Sequence, residues 1–219
     1  ATFEVSMIPE DYKRLSPEVI AKIKPLTDDP ETSDTGQLAA RRYLADMGIS
    51  LKTAIDARIG CLVHRCFGGK DSKDGKDKKN AAGMMYQCIA YVNYINGQPV
   101  NVKYRSCDAT ASGYTKCWSQ DSPTTPCPPY NIDCINPLLI AEENIPRLIV
   151  TEGERDVLTL REAGYLYVIS VPNGAASDLS KGFEAFRLWL DRVQELVICG
   201  DSDLPGRTLV KHLADYFGT

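Results

Sequence analysis

Several features are missing from this sequence, and each absence narrows the reading. No run of about 18 apolar residues occurs among the 219 positions, so no helical membrane span is expected. No basic-then-apolar leader opens the chain, and the expected compartment is the cytosol. There are eight cysteines, yet no CxxC pair; Cys107, Cys117, Cys127 and Cys134 are separated by nine, nine and six residues. Cys61, His64 and Cys66 lie close together, but a fourth ligand at a recognised spacing is absent, so zinc is not expected. In a reducing cytosol the cysteines stay thiols. A GxxxxGK[ST] phosphate loop is also lacking.

What is present is an ordinary globular composition, 43% hydrophobic and 25% charged, with an uneven charge distribution. Net charge is only -4. Residues 1–37 carry 4 basic and 8 acidic side chains, residues 38–120 carry 13 and 6, and residues 121–219 carry 8 and 15. A basic middle beside an acidic end gives one surface for phosphates and one for divalent cations. Lys70, Lys73, Lys76, Lys78 and Lys79 fall in a segment without apolar residues, Gly68 to Asn80, expected to be a mobile loop.

Local patterns divide the chain into three parts. Residues 1–35 read as an adaptor: an amphipathic stretch from Pro17 to Ile23, then a polar linker from Thr27 to Asp34. Residues 36–145 read as a basic, mixed α/β lobe. Thr35 is expected to cap a helix from Gly36 to Met47 that ends at Gly48, and Leu51 to Ala57 reads as a second helix. Strands are expected at Ile59–Val63, Tyr86–Ile95 and Pro99–Tyr104, with Asn96-Gly97 as a hairpin turn. Five prolines between 121 and 137 mark a connector. Residues 146–219 alternate between strand and helix. Strands are expected at 147–150, 166–171 and 195–199, and helices at 155–163 (closed by Gly164), 179–193 and 206–217. That alternation predicts a parallel sheet covered by helices.

In a parallel sheet the carboxyl ends of the strands carry the functional groups. The first strand of this region runs into Glu152-Gly153-Glu154-Arg155-Asp156, and the third into Asp201-Ser202-Asp203. Glu152, Asp201 and Asp203 should therefore converge. Clustered carboxylates repel unless a cation neutralises them, and hard oxygen ligands suit Mg²⁺ or Mn²⁺. The bland reading of Asp203 is a helix N-cap, since Pro205 follows at a helix start.

Three ordered segments, Ile149 to Asp156, Ser170-Val171-Pro172-Asn173-Gly174-Ala175 and Asp201 to Arg207, resemble the motifs of a TOPRIM domain. The form resembles DnaG-type primases and the primase-helicases of phages and mobile elements, over roughly residues 36–219. The resemblance implies catalysis and metal binding at Glu152, with Asp156, Asp201 and Asp203 as further metal ligands. Gly153 and Gly174, with Asn173 beside them, would let backbone approach the ligand. The segment Tyr43 to Ser50 followed by Arg58-Ile59-Gly60 is similar to the helical opening of a primase polymerase core. Val102-Lys103-Tyr104-Arg105 and Lys116-Cys117-Trp118 resemble the family's basic strand motifs, which face the TOPRIM acids. By that resemblance Lys103, Arg105 and Lys116 meet the nucleoside triphosphate or the template. Trp118 can stack a base or pack beneath one. Arg41, Arg42 and Arg58 are further candidates for template phosphate.

The resemblance implies synthesis of RNA primers on single-stranded DNA from nucleoside triphosphates, with a replicative helicase as partner, fused or separate. Two departures stand out: no zinc ribbon precedes residue 36, and the strand and acidic residue that follow the third TOPRIM helix are absent. The chain is thus expected to be a piece of a longer primase or primase-helicase, encoded by a bacterium, phage or mobile element. The competing readings are an inactive single-stranded-DNA-binding module of a helicase and a TOPRIM nuclease.

Overall fold

The computed structural model describes residues 12–68, 84–110, 113–115, 117–123, 127–173 and 179–218. The Lys70–Lys79 run, Lys116 and Gly174 lie outside the described residues. The chain forms two compact units, each drawn from separated stretches. One comprises residues 15–92 and 102–121; the other comprises residues 93–101 and 122–218 together with residues 12–14.

The first unit opens with a short helix, α1 (Pro17–Lys22), capped by the Ser16 hydroxyl, which accepts from the Val19 N–H. The polar run that follows is an ordered strap. Lys24–Pro25 (β1) pairs with the first long strand, and Leu26 is buried. Helix α2 (Thr35–Asp46) is capped by Asp34 and not by Thr35: the Asp34 carboxylate accepts from the Gln37 N–H at 3.0 Å. Thr35, one residue inside, is already helical. Helix α3 (Leu51–Asp56) follows, with Ser50 as its cap.

Strands β2 (Gly60–Gly68), β3 (Met84–Ile95) and β4 (Gln98–Ser106) are each longer than the apolar patterns predicted. The β3–β4 turn is Asn96-Gly97, both with positive φ, 50° and 72°. That geometry matches the right-handed twist of the flanking strands and favours this dipeptide. A small hairpin, β5 (Ala109–Thr110) and β6 (Gly113–Tyr114), precedes β7 (Cys117–Asp121). The sheet order is β1-β2-β3-β4-β7, and β7 also pairs with β2 through Phe67↔Trp118 and Gly68↔Cys117. Strands β2, β3, β4 and β7 therefore close into a ring. Val102, Tyr104 and Ser106 of β4 are buried, while Arg105 is exposed and Lys103 half-buried, as period-2 alternation requires. His64 stacks on Tyr104 at 3.9 Å between ring centroids, and the Tyr104 hydroxyl donates to Asp121 at 2.7 Å. Cys61 lies on the opposite face of β2 from His64 and Cys66, by the same alternation. The Sγ of Cys66 is 3.4 Å from that of Cys88.

The second unit is built on a parallel sheet of β8 (Leu148–Thr151), β9 (Val168–Ser170) and β10 (Leu196–Cys199), in the order β10-β8-β9. Every residue of β8 is buried, as befits a central strand covered on both faces. Helix α5 (Glu154–Glu162) returns the chain from β8 to β9 and buries Val157 and Leu158. It ends at Gly164, whose φ is 93°. Leu148 and Val150 of β8 belong instead to a core shared with Phe183, Phe186, Leu209 and Leu213. Those four come from α6 (Leu179–Glu184), the turn after it, and α8 (Leu204–Phe217).

The single helix expected over 179–193 is in fact two, α6 and α7 (Arg187–Leu190). Phe183, Phe186 and Trp189 all face the core at intervals of three, a spacing the 3.6-residue period cannot hold on one line. The chain tightens locally, with Phe186 N–H to Phe183 O and Trp189 N–H to Phe186 O both at 2.9 Å. Burying each phenyl ring is worth roughly 1.5–3 kcal/mol, more than the roughly 1 kcal/mol net of a helical hydrogen bond lost at the break.

The Pro-rich segment likewise holds more structure than a connector. Residues 132–135 form a 3₁₀ turn leading into α4 (Asn136–Ile140), and Ile132, Ile135 and Leu139 are fully buried. They share a core with Ile95 and Val100, at the far end of the β3–β4 hairpin.

Candidate active site

The parallel register aligns Cys199 with Thr151, so β8 and β10 end side by side. Glu152 follows β8 directly, and Asp201 stands two residues beyond β10. The Glu152 carboxylate accepts from the Asp201 backbone N–H. Burial, then the Asp201 charge, with Asp203 and Asp156 adding to it, raises Glu152 above the ordinary carboxylate range. Asp156 is raised too, first by burial and then by Asp201, against the lowering effect of the Gly153 N–H. These four acids therefore form one electrostatic neighbourhood.

Two of them also have structural duties. The Asp156 carboxylate, in the first turn of α5, accepts from the Gly153 N–H at 2.9 Å. Asp203 is the N-cap of α8 and accepts from the Gly206 N–H at 2.8 Å, so the bland reading of this residue holds alongside any metal role. The Asp201–Arg207 turn is fixed by close backbone packing. A Cβ on Gly206 would lie 2.2 Å from the Asp201 carbonyl oxygen, and one on Gly200 would lie 2.6 Å from the Gly206 oxygen. The packing of this turn thus requires glycine at Gly200 and Gly206, in addition to the expected role of Gly153 and Gly174 beside the ligand. Gly153 itself is extended, and a Cβ there would meet only the Asp156 carboxylate, at 3.5 Å.

One oxygen of the Glu152 carboxylate is buried without a hydrogen-bond partner. A buried acceptor left open costs about 1–3 kcal/mol and calls for a partner. Among the described residues no three His, Cys, Asp or Glu side chains converge tightly enough to form a closed cage. An orphaned carboxylate oxygen amid neighbouring acids fits Mg²⁺, which keeps several waters and takes one or two protein carboxylates plus substrate phosphates. Asn173, exposed, follows β9 in the turn beside this edge.

The basic candidates belong to the other unit. Lys103 and Arg105 share one face of β4; Arg105 is paired across to Trp118 and Lys103 to Gln120. Trp118 is 53% exposed, so an indole and a guanidinium stand together at the surface. Arg41 donates to the carbonyls of Thr27 and Asp29 and so ties the strap to α2. Arg42 is exposed on α2. Arg58, also exposed, closes α3 in the left-handed conformation with φ of 55°.

Residues 147–219 match the Toprim domain family. The chain has the fold of DnaG-type primase catalytic cores. It superposes on the DnaG primase catalytic domain bound to single-stranded DNA with a TM-score of 0.53 at 18% identity, covering 84% of this chain and 60% of that one. The primase fragment of the bacteriophage T7 primase-helicase gives 0.53 at 21% identity, covering 93% and 68%. Two Arabidopsis thaliana proteins match over 143 residues and 59% of this chain. They are the chloroplastic/mitochondrial Twinkle homolog, 31% identical over 18% of its length, and a primase homolog protein, 32% identical over 38%. The matched region thus spans less than two fifths of either relative. No helix among the described residues is long and apolar enough to cross a membrane.

Proposed function

We propose that this chain is the catalytic core of a DNA primase, which makes short RNA primers on single-stranded DNA and forms part of a longer primase or primase-helicase. The observation that carries the reading is the orphaned Glu152 oxygen at the shared end of β8 and β10, with Asp201 and Asp203 alongside, on a Toprim domain. In the reaction the 3′-hydroxyl of a growing primer attacks the α-phosphate of a nucleoside triphosphate and pyrophosphate leaves. Glu152, Asp156, Asp201 and Asp203 are the residues that would hold Mg²⁺ or Mn²⁺; a bound ion supplies charge stabilisation to the transferring phosphoryl group. The Asp201 N–H orients the Glu152 carboxylate, and the α8 cap holds Asp203 in place. Lys103, Arg105 and Lys116 neutralise phosphate on the nucleotide or template, and Trp118 offers a stacking surface for a base. Arg42 and Arg58 are further phosphate contacts, and Gly153, Asn173 and Gly174 border the nucleotide. A replicative helicase, fused or separate, is the expected partner, in a cytosol or in the cell infected by a phage.

The test is primer synthesis by the full-length gene product on single-stranded DNA with Mg²⁺ and labelled ribonucleotides. Short labelled products are expected from the natural protein and none from Asp201→Ala. Binding of single-stranded DNA without synthesis by either would favour the inactive binding module instead, and DNA cleavage would favour the nuclease.

A further inference from the structure

Asn93, at the end of β3, is 2% exposed, and both ends of its amide are used on one short piece of backbone. Its Nδ2 donates to the Pro128 carbonyl at 3.2 Å, and its Oδ1 accepts from the Asn131 N–H at 3.1 Å. A carbonyl can only accept and an N–H can only donate, so the orientation of the amide is fixed by its partners. The two bonds bracket Tyr130. Tyr130 in turn exchanges both backbone hydrogen bonds with Ser170, the last residue of β9: Tyr130 N–H to Ser170 O at 3.1 Å and Ser170 N–H to Tyr130 O at 3.2 Å. One register step along, the Asn131 side chain donates to the Val168 carbonyl at 2.8 Å. Residues 130 and 131 thus act as a one-rung strand on the outer edge of β9, antiparallel to it, held there by a side chain 35 or more residues away.

Ser170 is also the residue at which β9 leaves the sheet. The next N–H, of Val171, donates to the Thr151 carbonyl at 3.0 Å, immediately before Glu152. The end of β9 is therefore gripped from both sides, by Thr151 on β8 and by Tyr130 in the 128–131 segment. A strand end with one partner frays, because its outward N–H and C=O groups turn to water. We infer that Asn93 is a positioning residue. By clamping residues 128–131 against β9 it fixes the Val171–Asn173 turn beside Glu152, and so sets the geometry in which a nucleotide is held for transfer. This rests on the primase reading for its consequence in catalysis, but the clamp itself does not.

The experiment compares Asn93→Ala and Asn93→Leu with Asn101→Ala in the full-length protein. Asn101 is equally buried, and its Nδ2 donates to the Cys127 sulfur at 3.7 Å, so its loss reports the general destabilisation that removing a buried amide brings. Hydrogen–deuterium exchange is followed for residues 128–131 and 168–173, and kcat and KM are measured in primer synthesis. Both Asn93 variants should exchange faster in both segments. Their kcat should fall about tenfold or more, as misplacement by a fraction of an ångström does, while KM for nucleotide and affinity for single-stranded DNA change less than twofold. Asn101→Ala, brought to a matched Tm, should keep its kcat and its protection at 168–173. Unchanged exchange at 168–173 in the Asn93 variants, or an equal kcat loss in Asn101→Ala, overturns the inference. If the natural protein makes no primers, the primase reading fails, and the exchange data alone still decide whether the clamp exists.

Discussion

Gly206→Ala sets two physical effects against each other. Gly206 sits in the first turn of α8, where helical propensity alone would make alanine about 1 kcal/mol more stable than glycine. The packing says the reverse. The new Cβ would lie 2.2, 2.6 and 2.7 Å from the O, N and C atoms of Asp201, all backbone and unable to rotate aside. Relief requires the α8 N-terminus and the Asp201 turn to part by about 1 Å. Overpacking of this kind costs typically about 1–3 kcal/mol, and a backbone obstruction belongs at the upper end. The net expectation is a loss of about 2 kcal/mol, or roughly 4–8 °C in Tm for a chain of this size. The same shift pulls the Asp201 N–H from the Glu152 carboxylate, so synthesis should fall further than stability alone explains. Thermal unfolding and primer synthesis of Gly206→Ala check both expectations. A Tm equal to or above that of the natural protein would falsify the close-approach argument and leave propensity the winner.

Asp203 can be divided by two substitutions. Asp203→Asn keeps the cap and should hold stability while losing synthesis, whereas Asp203→Ala should lose synthesis and about 1 kcal/mol from the uncapped helix, read by urea unfolding. Lys103→Ala with Arg105→Ala should weaken binding to single-stranded DNA and flatten the plot of log K against log salt by about 1.4, for two phosphates at about 0.7 each. Deleting residues 70–79 should change that slope less; the reverse ranking in fluorescence anisotropy would refute the assignment. His64 is held below its ordinary pKa by burial, opposed by Asp121, so its neutral form favours the fold. Its contribution should be complete above the unfolded-state value of about 6.5 and be lost as pH falls through the lower folded value. His64→Gln should abolish that acid-side loss in urea titrations.

The strand–helix alternation after residue 145 was legible because parallel-sheet strands are short, apolar and bounded by helices of clear period. So was the hairpin, since Asn96-Gly97 has a conformational reason to be there. Carboxylates at strand ends could be read from topology, and β8 and β10 do end side by side. Other features had no local signal. The break at Phe186 depends on which side chains the core accepts, and a helical window cannot report that. The structured strap at 128–136 was hidden by its prolines, and its partner Asn93 lies in another part of the chain. The order at residues 24–29 comes from the pairing of Lys24 and Pro25 with β2 and from Gln37 and Arg41, whose side chains bond to main-chain groups of Pro25, Thr27 and Asp29. Nothing in the polar run itself announces those bonds.

The interleaving of the two units has a consequence for how the chain is made and cut. The ring of β2, β3, β4 and β7 cannot close until residues 117–121 have left the ribosome, some 50 residues after β2. Ile95 and Val100, made in between, must wait for Ile132, Ile135 and the later helices before they are covered. No single break in the peptide chain separates the units without orphaning apolar surface. A truncation after residue 121 would keep the ring but leave those two side chains in water, so such a fragment should be sticky and prone to self-association, while splicing out the hairpin tip along with residues 122–219 should give a cleaner protein. Dissection of this molecule has to follow its contacts, not its numbering.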